Sequence, residues 1–342
     1  MSGPSRRVLR RVAVGAFFAV VAGLIAWQAR RIEWASVLLA LRSYEAGTLL
    51  LALALAAGGH LVYSTFDLIG RHYVGHRLPA RDVMRVGFVS YAFNLNLGTL
   101  IGAVGMRVRL YSRLGLEKGD VARIVALSLV TNWSGYLALA GVAFALRVVD
   151  LPDDWRFGEG ALQLLGFALL ALVAGYLLLC KTAHRRTWRW REQEISLPAL
   201  PVAALQIGLS MANWSVMAAI VWVLLRSQVA DAPATNLAYG AVLATLLIGC
   251  MAGVLAKIPA GLGVLEAVFI SMLGHRVGEP QLLAALLAYR AIYYLIPLAV
   301  AALTFGVLEA KARRTRTRSA SPAARPAPDR RAHGPAAPRR SG

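Results

Sequence analysis

An arginine inside a long apolar run is the residue of this sequence with the sharpest chemical consequence. Arg290 lies about ten residues into the run 281–308, directly after Tyr289. A guanidinium at the centre of a bilayer costs roughly 2.5–3.5 kcal/mol even on lenient insertion scales, so it must face protein or water and meet an acceptor. Glu266 is the expected partner. Two roles stay open: an ion pair that joins two helices, or an anion site in which the guanidinium holds a lipid phosphate.

Two glycine-rich stretches place interrupted backbone beside charged residues. Their members are Gly102, Gly105 and Arg107 in one stretch, and Pro259, Gly261, Gly263 and Glu266 in the other. Glycine lets a ligand approach the main chain closely, and proline followed by two glycines breaks a regular helix. Arg107 either binds phosphate beside free backbone amides or, as flanking arginines commonly do, marks the cytoplasmic end of a segment.

Other polar residues within apolar segments divide into candidates for binding and candidates for packing. Asn94 and Asn96 precede the first glycine-rich stretch and are expected to line a cavity with it. The packing candidates are Asn132 and Asn213 as interhelical hydrogen-bonding groups, His60 as a buried ring, and Cys180 and Cys250 as inert thiols. Cysteine and histidine show no paired metal-ligand spacing, so we expect neither a metal nor another cofactor.

The composition requires a membrane environment to accommodate these residues. The 342 residues are 58% hydrophobic and 16% charged, whereas soluble domains are about 25% charged. Runs of about 20 apolar residues are long enough to span a bilayer as helices. The predicted crossings are 12–29, 47–66, 121–146, 161–180, 200–225, 236–256, 258–275 and 281–308. The sequence therefore predicts an all-α polytopic transmembrane helix bundle with about eight spanning helices and one or two re-entrant or broken elements.

Basic residues are concentrated in alternate loops. Loops 1–11, 67–82, 107–120, 181–199 and 311–342 hold 26 Lys and Arg, against seven in 30–45, 147–160, 226–235 and 276–280. The positive-inside rule places the basic loops, and so both termini, in the cytoplasm. This pattern accounts for the net charge of +20 without nucleic acid as a partner.

The apolar segment 83–106 lies between two basic loops that are predicted on the same side. It is therefore expected to enter the membrane and return, lining a cavity, because irregular backbone is tolerated there only beside protein or water. The alternative is an ordinary kinked spanning helix. Segment 258–275 is short and opens with its own glycine-rich break, so it is a second candidate of this kind.

Three regions follow from this distribution of charge and hydrophobicity. Residues 1–11 form a basic cytoplasmic N-terminus, and 12–309 form the transmembrane domain. Residues 310–342 are rich in Arg, Ala, Pro and Ser, a composition typical of a disordered cytoplasmic tail. Such a tail either serves solubility and topology or is attracted to anionic lipid.

The residues named above resemble one known family. The Asn94-x-Asn96 pair, the glycine-rich run that ends at Arg107, the stretch from Pro259 to Glu266 and the Tyr289-Arg290 pair are similar to the lysylphosphatidylglycerol synthase transmembrane, or flippase-like, family. The resemblance covers roughly residues 8–310 and implies a bacterial inner-membrane protein. In the full-length synthases this membrane module is joined to a cytosolic aminoacyl-transferase domain and is thought to move the lipid product. This sequence shows no such transferase domain.

Three functions remain in competition at this point. The favoured one is movement of a phospholipid, expected to have an anionic headgroup, between the bilayer leaflets without catalysis. The rivals are a membrane-embedded lipid-modifying enzyme, with Glu266 or Asp67 as its general base, and a scaffold that binds an unidentified protein partner. The absence of a nucleophile–base pair from the sequence motifs favours the first.

Overall fold

A computed structural model describes residues 41–148, 158–183, 187–190, 193–228, 237–256 and 261–320, together with single residues 23, 30, 35 and 39. The chain divides into two compact units, 1–302 and 303–342. The second unit is described as a helix up to Ala320. The first predicted crossing, 12–29, lies outside the described residues, apart from the single residue 23, and so does Pro259.

Helices account for nearly all of the described residues, which confirms the all-α prediction. They are α1 Ala46–Ser64, α2 Phe66–Val74, α3 Ala80–Leu97, α4 Arg107–Arg113, α5 Lys118–Ala145, α6 Glu159–Thr182, α7 Leu200–Gln228, α8 Tyr239–Leu255, α9 Val264–Leu273, α10 Glu279–Arg290 and α11 Ile296–Ala320. Two π-helical segments, π1 Leu100–Met106 and π2 Ala291–Leu295, interrupt this series. A short antiparallel hairpin, β1 Thr187–Trp190 and β2 Gln193–Ser196, lies in a predicted loop and was not expected.

Five stretches among the described residues are long and apolar enough to cross a membrane. They are Ala46–Val74, Lys118–Ala145, Gly160–Thr182, Leu200–Gln228 and Glu279–Leu308. Each matches a predicted crossing. The first is longer than predicted, because α2 continues the helical path of α1 beyond Thr65.

The predicted crossing 258–275 is not a full span. Its helix, α9, has ten residues and is therefore only about 15 Å long, half of the roughly 30 Å hydrocarbon core. The preceding helix α8 is also short, at 17 residues. The helix described in segment 258–275 therefore agrees with the broken element that its glycine-rich opening suggested, because hydropathy alone does not distinguish a half-length helix from a complete one.

Helix α7 lies at the centre of the bundle and packs against α1, α5, α8 and α10. Its buried positions recur every three or four residues, as in Ala203, Ile207, Ser210, Trp214 and Met217. Small residues bring its neighbours close, since a Cβ at Gly135 on α5 would overlap Ser210. Close approach through small residues is the usual basis of helix packing in membranes.

The segment from α3 to α4 folds back on itself, and we call it the first hairpin. Gly98 ends α3 with a φ of +83°, and π1 then packs against the end of α3. The approach is so close that a Cβ at Gly102 would overlap the backbone of Asn94. This geometry agrees with a segment that enters and returns, and its position in the bilayer stays a prediction.

Helices α8 and α9 form a second hairpin of similar design. A Cβ at Gly253 would come within 3.2 Å of Gly261 Cα, and one at Gly249 within 2.6 Å of Leu265 Cδ1. Gly261 and Gly263 have φ values of +58° and +79°, which glycine adopts readily and other residues rarely do. Gly261 and Gly263 therefore lie at the turn of the second hairpin, as Gly98 does in the first.

Candidate functional site

A cavity of about 500 Å³ lies where the two hairpin turns meet the long helices. Gly98 and Thr99 of the first hairpin line it, and so do Gly253 and Gly261 of the second. The remaining wall comes from α1, α3, α5, α7, α8, α9 and π2. Its volume is within the usual range of small-molecule sites.

Aromatic and neutral polar side chains dominate the chemistry of this cavity. Five aromatic residues line it: Tyr63, Tyr91, Trp133, Trp214 and Tyr294. Asn94, Thr99 and Asn132 add hydrogen-bonding groups. Among the described lining residues there is no Asp, Glu, Lys, Arg or His.

Arg290 and Glu266 form the predicted ion pair just behind the cavity wall. Arg290 Nε donates to Glu266 Oε1 at 2.8 Å, and Nη2 donates to Oε2 at 3.1 Å. Nη2 also lies 3.3 Å from the carbonyl oxygen of Gly261, which itself lines the cavity. Glu266 Oε2 accepts a hydrogen bond from the backbone N–H of Gly263 at 2.9 Å. The pair therefore joins the end of α10 to the turn of the second hairpin.

Arg107 does not lie where a lipid headgroup could reach it. Its side chain is 1% exposed and donates through Nε and Nη2 to the carboxylate of Asp67, at 2.9–3.1 Å. Ser128 Oγ and the carbonyl oxygen of Ala103 accept its other hydrogen bonds, and Tyr111 donates to Asp67. Because these neighbours satisfy both charges, the pair connects α2, α4 and α5 internally. We therefore leave Arg107 out of the proposed headgroup site.

The two predicted asparagines of α3 have different environments. Asn94 lines the cavity, and its Oδ1 is shielded from solvent with no hydrogen-bond partner among the described residues. Asn96 is buried and donates to the carbonyl oxygens of Ala92 at 2.8 Å and Tyr294 at 3.2 Å. Asn94 is therefore available to a ligand, whereas Asn96 ties the first hairpin to π2.

The remaining predicted site residues support the walls of the cavity. Tyr289 is fully buried and its ring stacks on that of Tyr293, with centroids 5.6 Å apart. Gly102 allows the close contact inside the first hairpin, and Gly105 lies in the same π segment. None of these three is among the described residues that line the cavity.

Arg107 and Arg290, the buried arginines among the described residues, each lie at the boundary between an α-helix and a π segment. Arg107 follows π1, and Arg290 precedes π2. Segments of π-helix are rare and often occur at functional sites, because they re-aim side chains within a helix. Here π2 places Tyr294 in the cavity wall and Tyr293 behind it, where its hydroxyl shares a 3.0 Å hydrogen bond with that of Tyr91.

Sequence reasoning missed most of the aromatic wall. One available signal is the tripeptide Asn-Trp-Ser, which occurs at 132–134 on α5 and again at 213–215 on α7. Both tryptophans line the cavity, and Trp214 Nε1 donates to the carbonyl oxygen of Asn132 at 3.2 Å. Asn132, expected to serve packing, lines the cavity, while Asn213 lies in the buried tyrosine network.

The helices and the cavity together define an integral, multi-pass helical membrane protein. Residues 12–301 match the family described as "Lysylphosphatidylglycerol synthase TM region". The chain belongs to this family, as its resemblance in sequence had indicated.

The relatives place the chain in a bacterial inner membrane. It is 42% identical to "Inner membrane protein YbhN" of Escherichia coli, over 93% of this chain and 98% of that protein. It is 30% identical to "Uncharacterized protein slr0712" of Synechocystis, over 87% and 91% of the two chains. It is 24% identical to "Phosphatidylglycerol lysyltransferase" of Staphylococcus aureus, over 74% of this chain but only 28% of the longer relative.

Proposed function

We propose that this protein moves a phospholipid between the two leaflets of the bacterial inner membrane. The cavity between the two hairpin turns is the observation that carries the proposal. It gives a polar headgroup a hydrogen-bonding environment among the helices, while the acyl chains stay in the surrounding lipid. The name of the lysyltransferase relatives supports a lipid substrate, since it describes an enzyme of phosphatidylglycerol modification.

The arrangement of the hairpins suggests how such a site is reached from both sides. The distribution of basic loops predicts that the first hairpin enters from the cytoplasm and the second from the opposite side. Each hairpin is preceded by a long helix and followed by another, α1–α2 and α5 for the first, α7 and α10–α11 for the second. Paired, interrupted elements of opposite orientation that meet at mid-membrane are typical of transporters.

Arg290 and Glu266 have a defined place in this proposal. Their ion pair holds the turn of the second hairpin against α10, directly behind the lining residues Gly261 and Tyr294. Truncating one partner leaves the other charge uncompensated in a largely buried position, which costs roughly 3–5 kcal/mol in comparable pairs. The predicted anionic headgroup would have to compete with Glu266 for the guanidinium.

A leaflet-resolved assay with the purified full chain tests the proposal. Proteoliposomes contain phosphatidylglycerol with a fluorescent acyl chain, and an impermeant quencher reports the fraction in the outer leaflet. With the wild-type chain, we expect labelled lipid from the inner leaflet to reach the outer leaflet and become accessible to the quencher. This movement should be at least tenfold slower with Arg290→Ala or Glu266→Ala.

The exposed pair of Arg85 and Asp82 supplies the matched control, because Arg85→Ala removes a similar contact from the surface. Its transport should equal that of the wild type. Rates no higher than in protein-free liposomes would contradict lipid movement. A new lipid species in the same vesicles, detected by mass spectrometry, would support the enzymatic alternative instead.

A further inference from the structure

The cavity wall indicates a more specific ligand than a phospholipid in general. We infer that it accepts an uncharged, hydroxyl-bearing headgroup, such as a glycerol or sugar unit, rather than a phosphate or an ammonium group. This inference rests on the proposed function, because it assumes that a lipid headgroup occupies the cavity. It departs from the anionic headgroup expected from the sequence.

The lack of charge among the described lining residues argues against a phosphate in the cavity. Removing an anion from water is costly unless a cation or several donors replace its hydration. The described lining holds no cationic side chain, and the nearby guanidinium of Arg290 is bound to Glu266. Without a cation to compensate its charge, the phosphate of a glycerophospholipid is expected to stay outside the cavity, while a terminal headgroup for which neutral donors and acceptors suffice enters it.

Asn94 supplies a positive reason for hydroxyl groups. Its Oδ1 is a hydrogen-bond acceptor without a partner among the described residues, and its residue lines the cavity. A carbonyl-type oxygen accepts hydrogen bonds from hydroxyl groups and repels the oxygens of a phosphate. Thr99 and Asn132 offer further donors and acceptors in the same wall. A polyol matches this mixture because each hydroxyl both donates and accepts.

The aromatic rings match the other surface of such a ligand. Sugars and polyols present C–H groups between their hydroxyls, and aromatic side chains combine an apolar face with a polar edge. A cation would also bind exposed ring faces. However, Tyr63 and Tyr91 stack on each other with centroids 3.5 Å apart, and the guanidinium of Arg290 lies 5.9 Å from the ring of Tyr294. These contacts occupy one face of each of the three rings, and the described wall holds no carboxylate that could pair with an ammonium group.

Competition between headgroups tests the inference with the full chain in proteoliposomes. Four lipids carry the same fluorescent acyl chain: phosphatidylglycerol, a glucosyl diacylglycerol, phosphatidic acid and phosphatidylethanolamine. We expect at least tenfold faster movement of the two hydroxyl-bearing lipids than of the other two. Movement of only the glucosyl lipid would identify a sugar as the headgroup that the cavity accepts, and movement of only phosphatidylglycerol would identify a glycerol unit. Equal or faster movement of phosphatidic acid or phosphatidylethanolamine would overturn the inference.

Variants assign the preference to the cavity. Asn94→Leu keeps a side chain of similar size but removes the hydrogen-bond acceptor, and Trp214→Phe makes one aromatic surface smaller. Each variant should reduce the preference for hydroxyl-bearing lipids over the other two lipids at least threefold. Trp222→Phe is the matched control, because Trp222 is on α7 but not among the described lining residues, and its preference should be unchanged. Full preference in both cavity variants would place the selective site elsewhere and overturn the inference.

A binding measurement separates failure of the inference from failure of the proposed function. Native mass spectrometry of the detergent-solubilised chain with equimolar mixtures of the four lipids reports retention without any transport. Selective retention of hydroxyl-bearing lipids without movement would leave the inference intact and contradict the translocation proposal. Lipid movement without headgroup selectivity in either assay would support the translocation proposal and contradict the inference about the headgroup.

Discussion

At the residue scale, the two buried arginines show what sequence does and does not reveal about a charge in a membrane. The need for a partner was predictable for Arg290, and Glu266 was the nearest carboxylate in a broken segment. For Arg107 the partner is Asp67, 40 positions earlier, and an arginine next to a loop gave no sign of complete burial. Pairing distant charges requires knowledge of which helices pack together, and apolar periodicity does not supply it.

The internal pair of Arg107 and Asp67 leads to a prediction about stability. Arg107→Ala should lower the free energy of unfolding by roughly 3–5 kcal/mol, because the buried carboxylate loses its partner. The double substitution Asp67→Leu with Arg107→Met should recover most of this loss, since an apolar pair needs no compensation. Denaturant unfolding in detergent, followed by tryptophan fluorescence, gives both values. A double variant less stable than Arg107→Ala would contradict this assignment.

At the element scale, the long helices were predictable and the hairpins only partly so. The bounds of α5 and α7 lie within about four residues of the predicted crossings, because long apolar runs carry a strong signal. The first hairpin was suggested by the basic loops 67–82 and 107–120, which are both predicted on the cytoplasmic side of the membrane. The second was predicted as two crossings, 236–256 and 258–275, of which the latter was also a candidate broken element, because hydropathy does not report whether a short apolar segment spans the membrane. The β-hairpin was missed because its two strands have only four residues each and lie in a basic loop between two long apolar runs.

The first hairpin can be tested through its closest contact. Gly102→Ala places a Cβ against the backbone of Asn94, so π1 must move away from α3 and transport should fall at least tenfold. Gly58→Ala on α1 is the control, because a Cβ there meets open space and alanine favours a helix by about 0.5–1 kcal/mol. The leaflet-resolved assay measures both variants. Normal transport by Gly102→Ala would mean that this contact is dispensable.

At the scale of the whole molecule, access to the cavity from both leaflets depends on hairpins that enter from opposite sides of the membrane. The first hairpin is flanked by Arg77 and Glu117, and the second by Ser227 and His275, all of which are exposed. Single cysteines at these positions, in a chain without Cys180 and Cys250, should react with an impermeant maleimide in two pairs. We expect labelling of intact cells at 227 and 275, but at 77 and 117 only after the inner membrane is opened. If the two positions of one pair were labelled from different sides of the membrane, the segment between them would be a crossing and not a hairpin that returns.

The proposed path of the lipid through the cavity can be blocked at Cys250. Cys250, which the sequence predicted as a packing thiol, is partly exposed and lines the cavity, whereas Cys180 does not and is 1% exposed. In a Cys180→Ser chain, a bulky membrane-permeant maleimide on Cys250 should therefore fill the space that the headgroup needs. Mass spectrometry reports the extent of modification, and the doubly substituted chain, Cys180→Ser with Cys250→Ser, shows any effect of the reagent elsewhere.

The decisive measurement is the rate of lipid movement by the Cys180→Ser chain before and after complete modification of Cys250. The cavity account predicts that the rate falls to that of protein-free liposomes, while the doubly substituted chain keeps its rate. An unchanged rate in fully modified protein would contradict it, because the lipid would then cross by a route that does not include this cavity.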